Sequence, residues 1–447
     1  MIRQMLDRKF FLRHLDAFGP HLDREIELHR SGDPGAHARA AQAGITLDDL
    51  QQAKQHLTAA GPDEAAHESG SEPAFLARHP VSSALQSALQ NHIIERRPEV
   101  VDRPPQLGPS SDLISDVSLA NTHDDEDLFE QFGPVDAGWI SVGFAVLVRL
   151  LRKKHPFTPD PAPPHAIGNS ARLILLADWG TGVPRARKVG ESARQYLEEA
   201  AGAGRDVHVI HLGDVYYSGW AIEYDQNFLP FWPVKAEEAG RFGSWDLNGN
   251  HDMYSGGYGY FDHLLKDARF AAQNQSSYFS LENDFWQILG LDSAYDEWDL
   301  AGRQADWVAG TRTRSPGRKG MLLSHHQPFS AFEPPPDNAQ LLKRVQPVLD
   351  QHLITAWLWG HEHRCAFYKP LHNLPFGRCI GHSGVPVFAR SEDTLPQDVT
   401  YEFGDWVLET EPRFARFGFV VIDCQNDHMK VQYVNEDGTP HNFDDFH

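Results

Sequence analysis

The sequence predicts an α/β fold, with mixed sheets flanked by helices, preceded by a mainly helical N-terminal region. Two observations carry this reading. From about residue 166 onward, short β-type runs alternate with helical stretches, whereas residues up to about 97 place apolar side chains at helical spacing. Between these two textures lies a proline-dense segment, "HPFTPDPAPPHAIGN", which reads as a stiff, extended connector. The expected division is therefore a helical region with Pro-rich linkers over 1–165 and an α/β domain over 166–447.

In chain order, "MIRQMLDRKFFLRHLDAF" interrupts each apolar stretch with a charge and so lacks the apolar core of a signal peptide. "ITLDDLQQAKQHLTAA" opens on Thr46 with Asp49 three residues on, the spacing of a reciprocal helix cap. "SALQSALQNHIIERR" continues the helical pattern. Residues 97–127 turn Pro-, Ser- and acid-rich and read as a linker or surface loop. His123, within "HDDED", reads as a solvated residue. "AGWISVGFAVLVRLL" is too short in its uncharged core to span a bilayer, so residues 137–151 are expected as a buried or interfacial helix and no transmembrane segment is expected.

The strand-like runs that follow are "RLILLA", "VHVIHL", "SWDLN", "FWQILGL", "MLLS" and "AWLWG". They are interleaved with helical stretches at 185–203, 303–311 and 338–351. "FGFVVID" and "MKVQYVNEDG" read as a closing hairpin, which makes the sheets mixed. His208 and His211, inside the second run, read as packed or hydrogen-bonded residues.

Bulk properties limit the function classes. The 447 residues are 41% hydrophobic and 23% charged, which suits a globular protein with a substantial core. A net charge of −22 opposes general binding to nucleic acid. Three cysteines without a C-x-x-C spacing fit a reducing compartment, and a cytoplasmic location is the expectation.

Five strand-like runs end in metal-binding side chains: Asp178, Asp214, Asn250 with His251, His325 with His326, and His361 with His363. Ligands in open α/β sheets bind beyond the carboxyl ends of the strands, so these residues converge if the strands are neighbours running alike. Carboxylates, an amide oxygen and imidazoles are hard-to-borderline donors suited to Fe, Zn or Mn, and a carboxylate such as Asp214 can bridge two ions.

In order, "DWG" (178–180), "GDVYY" (213–217), "GNHD" (249–252), "SHHQP" (324–328) and "GHEH" (360–363) resemble the signature of the calcineurin-like metallophosphoesterases. More narrowly they resemble purple acid phosphatases, whose pattern runs D-x-G, G-D-x-x-Y, G-N-H-D/E, a His motif and G-H-x-H. The resemblance covers roughly residues 170–435. It implies a β-sandwich of two mixed sheets flanked by helices, and two metal ions per chain with Fe at one site and Fe, Zn or Mn at the other.

It further implies one ion on Asp178, Asp214, Tyr217 and His363 and a second on Asp214, Asn250, His325 and His361. His251 would protonate the leaving alcohol with Asp252 to orient it, and hydroxide on the metals would attack a phosphate ester. Tyr216 is expected in the core, and an aromatic wedge is the alternative for Tyr217. His325 is preferred to His326, which is left for an outer or substrate-facing role. His382 and Ser383 line the pocket or form a capped turn.

The expected activity is a phosphomonoesterase. Alternatives are a phosphodiesterase of the same fold, or a regulatory protein in which the metal domain is a platform. The resemblance leaves the helical N-terminal region unexplained, and this region is a candidate surface for a protein partner.

Overall fold

A computed structural model describes residues 8–43, 46–59, 77, 79–96, 154–387, 394–405 and 414–447. The acid-rich stretch at 97–127 and the apolar stretch at 137–151 lie outside the described residues. The N-terminal region forms α1 (Arg8–Arg30), α2 (Pro34–Ala43), α3 (Leu47–Ala59) and α4 (Pro80–Arg96). The start of α3 is capped reciprocally as its sequence implies: the Asp49 amide donates to Thr46 Oγ1 (3.2 Å) and the Thr46 amide to Asp49 Oδ2 (2.7 Å). None of the described helices is long and apolar enough to cross a membrane.

The α/β part is a sandwich of two mixed sheets. One sheet has eight strands, ordered β1-β5-β6-β7-β8-β10-β9-β11, and the other six, ordered β14-β13-β12-β2-β3-β4. In the six-stranded sheet β2 (Arg172–Leu176), β3 (Val207–His211) and β4 (Gly243–Asp246) are parallel neighbours. They are joined on the other side by the antiparallel strands β12 (Gly418–Gln425), β13 (His428–Asn435) and β14 (Pro440–Phe446). In the eight-stranded sheet β6 (Trp286–Leu291), β7 (Lys319–Ser324) and β8 (Ala356–Trp359) form a second parallel triplet. Around that triplet lie β1 (His165–Ala166), β5 (Phe279–Glu282), β9 (Cys365–Tyr368), β10 (Phe376–Ile380) and β11 (Val399–Glu402).

Both faces of each parallel triplet are buried, which is why these strands read as continuous apolar runs. Alternate residues of β2 divide between two cores. Leu173 and Leu175 join Ile210, Ile288, Leu323, Leu358 and Ile422 between the sheets. Ile174 and Leu176 pack outward on Val189, Ala193 and Leu197 of α5 (Pro184–Gly202). On the outer face of the other sheet, Leu322 and Trp357 meet Val308 of α6 (Gln304–Arg314) and Val345 and Leu349 of α7 (Leu341–Asp350). Each such aliphatic side chain contributes about 1.5–3 kcal/mol by burial.

The proline-dense connector lies along the sandwich. Ala162 donates its amide to the Tyr278 carbonyl (3.2 Å), and β1 pairs in parallel with β5. The boundary expected between 165 and 166 thus falls inside a strand. Helix α4 also packs on this part of the molecule, with Val81 to Gln90 all buried.

Candidate metal centre

The carboxyl ends of the two parallel triplets meet at one edge of the sandwich. Asp178 follows β2, Asp214 follows β3, and Asn250 follows β4 at the start of a short helix (Asn250–Tyr254). From the other sheet, His325 follows β7, and His361 and His363 follow β8. Four of these donors adopt left-handed backbone despite having side chains: Asp178 (φ 56°), Asp214 (φ 77°), His361 (φ 70°) and His363 (φ 49°). Such conformations cost about 1–3 kcal/mol each and persist where the surroundings impose them, most often at functional sites. Close approach is possible because a Cβ on Gly249 would lie 2.0 Å from Asp214 Oδ1 and one on Gly360 would lie 2.6 Å from Asp178 Oδ2.

Two donor groups form around Asp214. In the first, the Tyr216 hydroxyl lies 3.2 Å from Asp178 Oδ1, 3.1 Å from Asp214 Oδ2 and 3.1 Å from His363 Nε2. In the second, Asn250 Oδ1 lies 2.9 Å from both His325 Nε2 and His361 Nδ1, and these nitrogens are 3.2 Å apart. Asp214 Oδ2 is also 3.4 Å from His325 Nε2, so one carboxylate touches both groups.

The second group has the chemistry of a cation site. His325 Nδ1 lies 2.9 Å from the Leu212 carbonyl, so Nδ1 carries the proton and Nε2 presents a lone pair. Burial holds this imidazole down to about 3, which excludes the doubly protonated form near neutral pH. Asn250 Nδ2 donates to the Tyr254 hydroxyl (2.7 Å), which turns Oδ1 toward the imidazoles. Two acceptors therefore face each other at hydrogen-bond distance, and a positive ion is what such a pair accommodates. In the first group, burial raises the Asp214 carboxyl, and burial with the Asp214 and Asp178 carboxylates raises the Tyr216 phenol well above its ordinary value. Those groups ionise together only against a cation.

The hydroxyl that joins Asp178, Asp214 and His363 belongs to Tyr216, which corrects the expectation for Tyr217. Val215 forms a β-bridge with Gly180. The residues on either side of it, 214 and 216, consequently point the same way, as alternate residues of extended chain do. Tyr217 is buried in the outer core; its backbone carbonyl accepts from His251 Nδ1 at 2.6 Å.

Asp252 also differs from expectation. It does not orient the His251 ring. As the third residue of its helix it turns back to the N-terminal amides, its carboxylate accepting from the amides of Gly249 (2.7 Å), Asp214 (2.8 Å) and Val215 (3.1 Å) and from the Tyr224 hydroxyl. Burial, helped by Asp214 and Asp246, pushes this carboxyl up to about 7. His251 is positioned by the Tyr217 carbonyl, by its own amide on Asp214 Oδ1 (2.9 Å), and by the rings of Tyr216 and Tyr254.

Helix α4 reaches this same loop. Ser83 Oγ donates to the Tyr217 carbonyl (2.7 Å) and lies 3.5 Å from His251 Nδ1. Ser87 Oγ donates to Glu223 Oε1 (2.7 Å). The Glu223 carboxylate in turn accepts the amides of Tyr217, Ser218 and Trp220. The i, i+4 pair Ser83/Ser87 is the signal for this face, but among small apolar residues it does not announce a partner.

His326 lies against His361 and Trp298, with Nδ1 3.2 Å from Ser293 Oγ. Ser383 Oγ accepts the Ala177 amide (3.1 Å), while His382 faces Cys365 and His441. His208 and His211 bond to Asp206 (3.0 Å) and Asp246 (2.9 Å).

Residues 171–365 match the calcineurin-like phosphoesterase family. None of the curated proteins matches the sequence. Among solved structures, GAP50, the anchor in the inner membrane complex of Plasmodium, is similar at 9% identity over 62% of this chain and 88% of its own (TM-score 0.45). A dimetal phosphatase from Danio rerio is similar at 13% identity over 64% of this chain and 99% of its own (TM-score 0.40). A 5'-nucleotidase from Candida albicans is similar at 13% identity over 59% and 54% (TM-score 0.30).

Proposed function

We propose that this chain, whose residues 171–365 match the calcineurin-like phosphoesterase family, is a binuclear, metal-dependent hydrolase of phosphate monoesters. The observation that carries this reading is Asp214, whose carboxylate stands between two donor groups. The first ion would be held by Asp178, Asp214, Tyr216 and His363, and the second by Asp214, Asn250, His325 and His361. Iron suits the phenol-containing group, and Fe, Zn or Mn the other. Bound there, a metal pair supplies an acidified water and neutralises charge on the phosphoryl oxygens.

The chain's own contribution is positioning and proton supply. The Tyr217 carbonyl accepts a hydrogen bond from Nδ1–H of His251, which leaves Nε2 as the atom that holds and delivers a proton to a departing alcohol. The Tyr216 and Tyr254 rings fix the plane of this imidazole, and Ser83 of α4 stands 3.5 Å from its Nδ1.

A chromogenic monoester and its bis-ester, turned over by metal-loaded protein, test the reading. Faster monoester turnover is expected. His251→Ala should retain metal and lose roughly 10²–10⁴ in rate, with a smaller loss for esters of acidic alcohols, which leave without protonation. Metal-replete protein that turns over neither ester refutes the proposal.

A further inference from the structure

A second cluster of metal-binding side chains lies outside the centre described above. Cys365 opens β9, His382 follows β10 by two residues, and His441 is the second residue of β14. The first two come from the eight-stranded sheet and the third from the six-stranded sheet, and one ligand atom of each lies within 4.8 Å of the others. Cys365 is 1% exposed and His382 4%.

The two imidazoles are oriented as ligands are. His382 Nδ1 lies 3.1 Å from the Ile380 carbonyl, so Nδ1 carries the proton and Nε2 a lone pair. His441 Nδ1 is 2.8 Å from the Tyr401 hydroxyl, and its ring is clamped at 3.8 Å by Phe403. Both Nε2 atoms are buried and have no hydrogen-bond partner among the described residues. A buried nitrogen left unpaired costs about 1–3 kcal/mol, and two of them beside one thiol is a pattern that packing alone does not account for. Metal-binding histidines commonly have this arrangement, with one nitrogen on a carbonyl or hydroxyl and the other on the ion.

We propose that Cys365, His382 and His441 bind a thiolate-ligated transition-metal ion, zinc or monovalent copper by ligand class, separate from the ions of the phosphoesterase centre. One thiolate and two imidazoles are donors that either ion accepts, copper(I) with these three and zinc with water in its fourth position, and the thiol proton is released on binding. Because the strands carrying these residues come from both sheets, the ion would tie the sandwich together, at a point only two residues along the chain from His363.

Cobalt distinguishes this site from the other, since the donors of the phosphoesterase centre are all nitrogen and oxygen. The full chain, stripped by chelator and titrated with Co²⁺, should develop a near-ultraviolet thiolate-to-cobalt charge-transfer band. Cys365→Ser should abolish it and lower the bound metal by one equivalent, whereas Cys379→Ser and Cys424→Ser should preserve it. His441→Gln, at an edge strand where folding is less at risk, should weaken cobalt binding at the band by tenfold or more. Cobalt bound by the unmodified chain without the band, or a band that survives Cys365→Ser, overturns the proposal.

Discussion

Replacing Asp252 by Asn keeps the shape of the side chain and removes one of two acceptors. Its Oδ2 accepts the amides of Asp214 and Gly249, and its Oδ1 accepts the Val215 amide and the Tyr224 hydroxyl. An asparagine would turn its NH₂ toward Val215 and Tyr224, since a hydroxyl can reverse and accept while an amide N–H cannot. One backbone donor is then orphaned, at about 1–3 kcal/mol, and the surviving bonds lose their charge assistance, so the total is about 2–4 kcal/mol. For a domain of this size that corresponds to a melting temperature lower by roughly 4–8 °C. The loop being loosened carries Asp214, so metal affinity should fall as well, and saturating metal should restore turnover with an unchanged pH–rate profile. Calorimetry, metal titration and a pH series measure the three quantities. A variant with normal melting and metal affinity but a displaced acidic limb would mean that Asp252 tunes His251 after all.

Iron-loaded, oxidised protein should absorb in the visible through phenolate-to-iron charge transfer; Tyr216→Phe should bleach it and Tyr217→Phe should not, as read by absorbance with iron content measured in parallel. Deleting residues 1–96 removes Ser83 and Ser87 from the Tyr217 and Glu223 loop, and should yield protein that aggregates or turns over at least tenfold more slowly, a soluble fragment with full activity being the contrary result. Asp292 is fully buried, and burial pushes its carboxyl from 3.8 to about 6. Between those values the native state holds a proton that the unfolded chain has released, so the group's contribution to stability declines as pH rises through this window, by roughly 3 kcal/mol. Asp292→Asn should therefore gain stability over the parent at pH 7 and not at pH 4 in paired denaturation curves.

Most strands, and the convergence of the polar side chains that follow them, were legible in the sequence because two strong physical signals coincide there. Strands buried on both faces must be apolar throughout, and metal donors must be polar, so a carboxylate or imidazole directly after "LILLA" or "WLWG" stands out. The choice between Tyr216 and Tyr217 was not legible, since it depends on the left-handed turn at Gly213 (φ 98°) and Asp214 and on the Val215 bridge to Gly180. Composition says nothing of such dihedrals. Asp252 was misread because adjacency to His251 suggested a contact, whereas a helix start directs the third residue toward its own amides. The role of α4 was hidden for a different reason. Its buried positions include Ser82, Ser83, Gln86, Ser87 and Gln90, so the usual contrast between a polar and an apolar face is missing. Its partners in this loop lie 131–168 residues away in sequence.

The donors are divided between the layers of the sandwich: Asp178, Asp214 and Asn250 ride on one sheet, and His325, His361 and His363 on the other. Coordination bonds tolerate length errors of only about 0.2 Å. Under the proposed function, occupancy of the site would gauge how far one sheet has slid over the other, and the relation would work in reverse, with bound ions acting as rivets against shear. Substitutions that shrink Leu323 or Leu358, deep between the sheets and touching no donor, would register first as leakage of metal and only later as loss of structure.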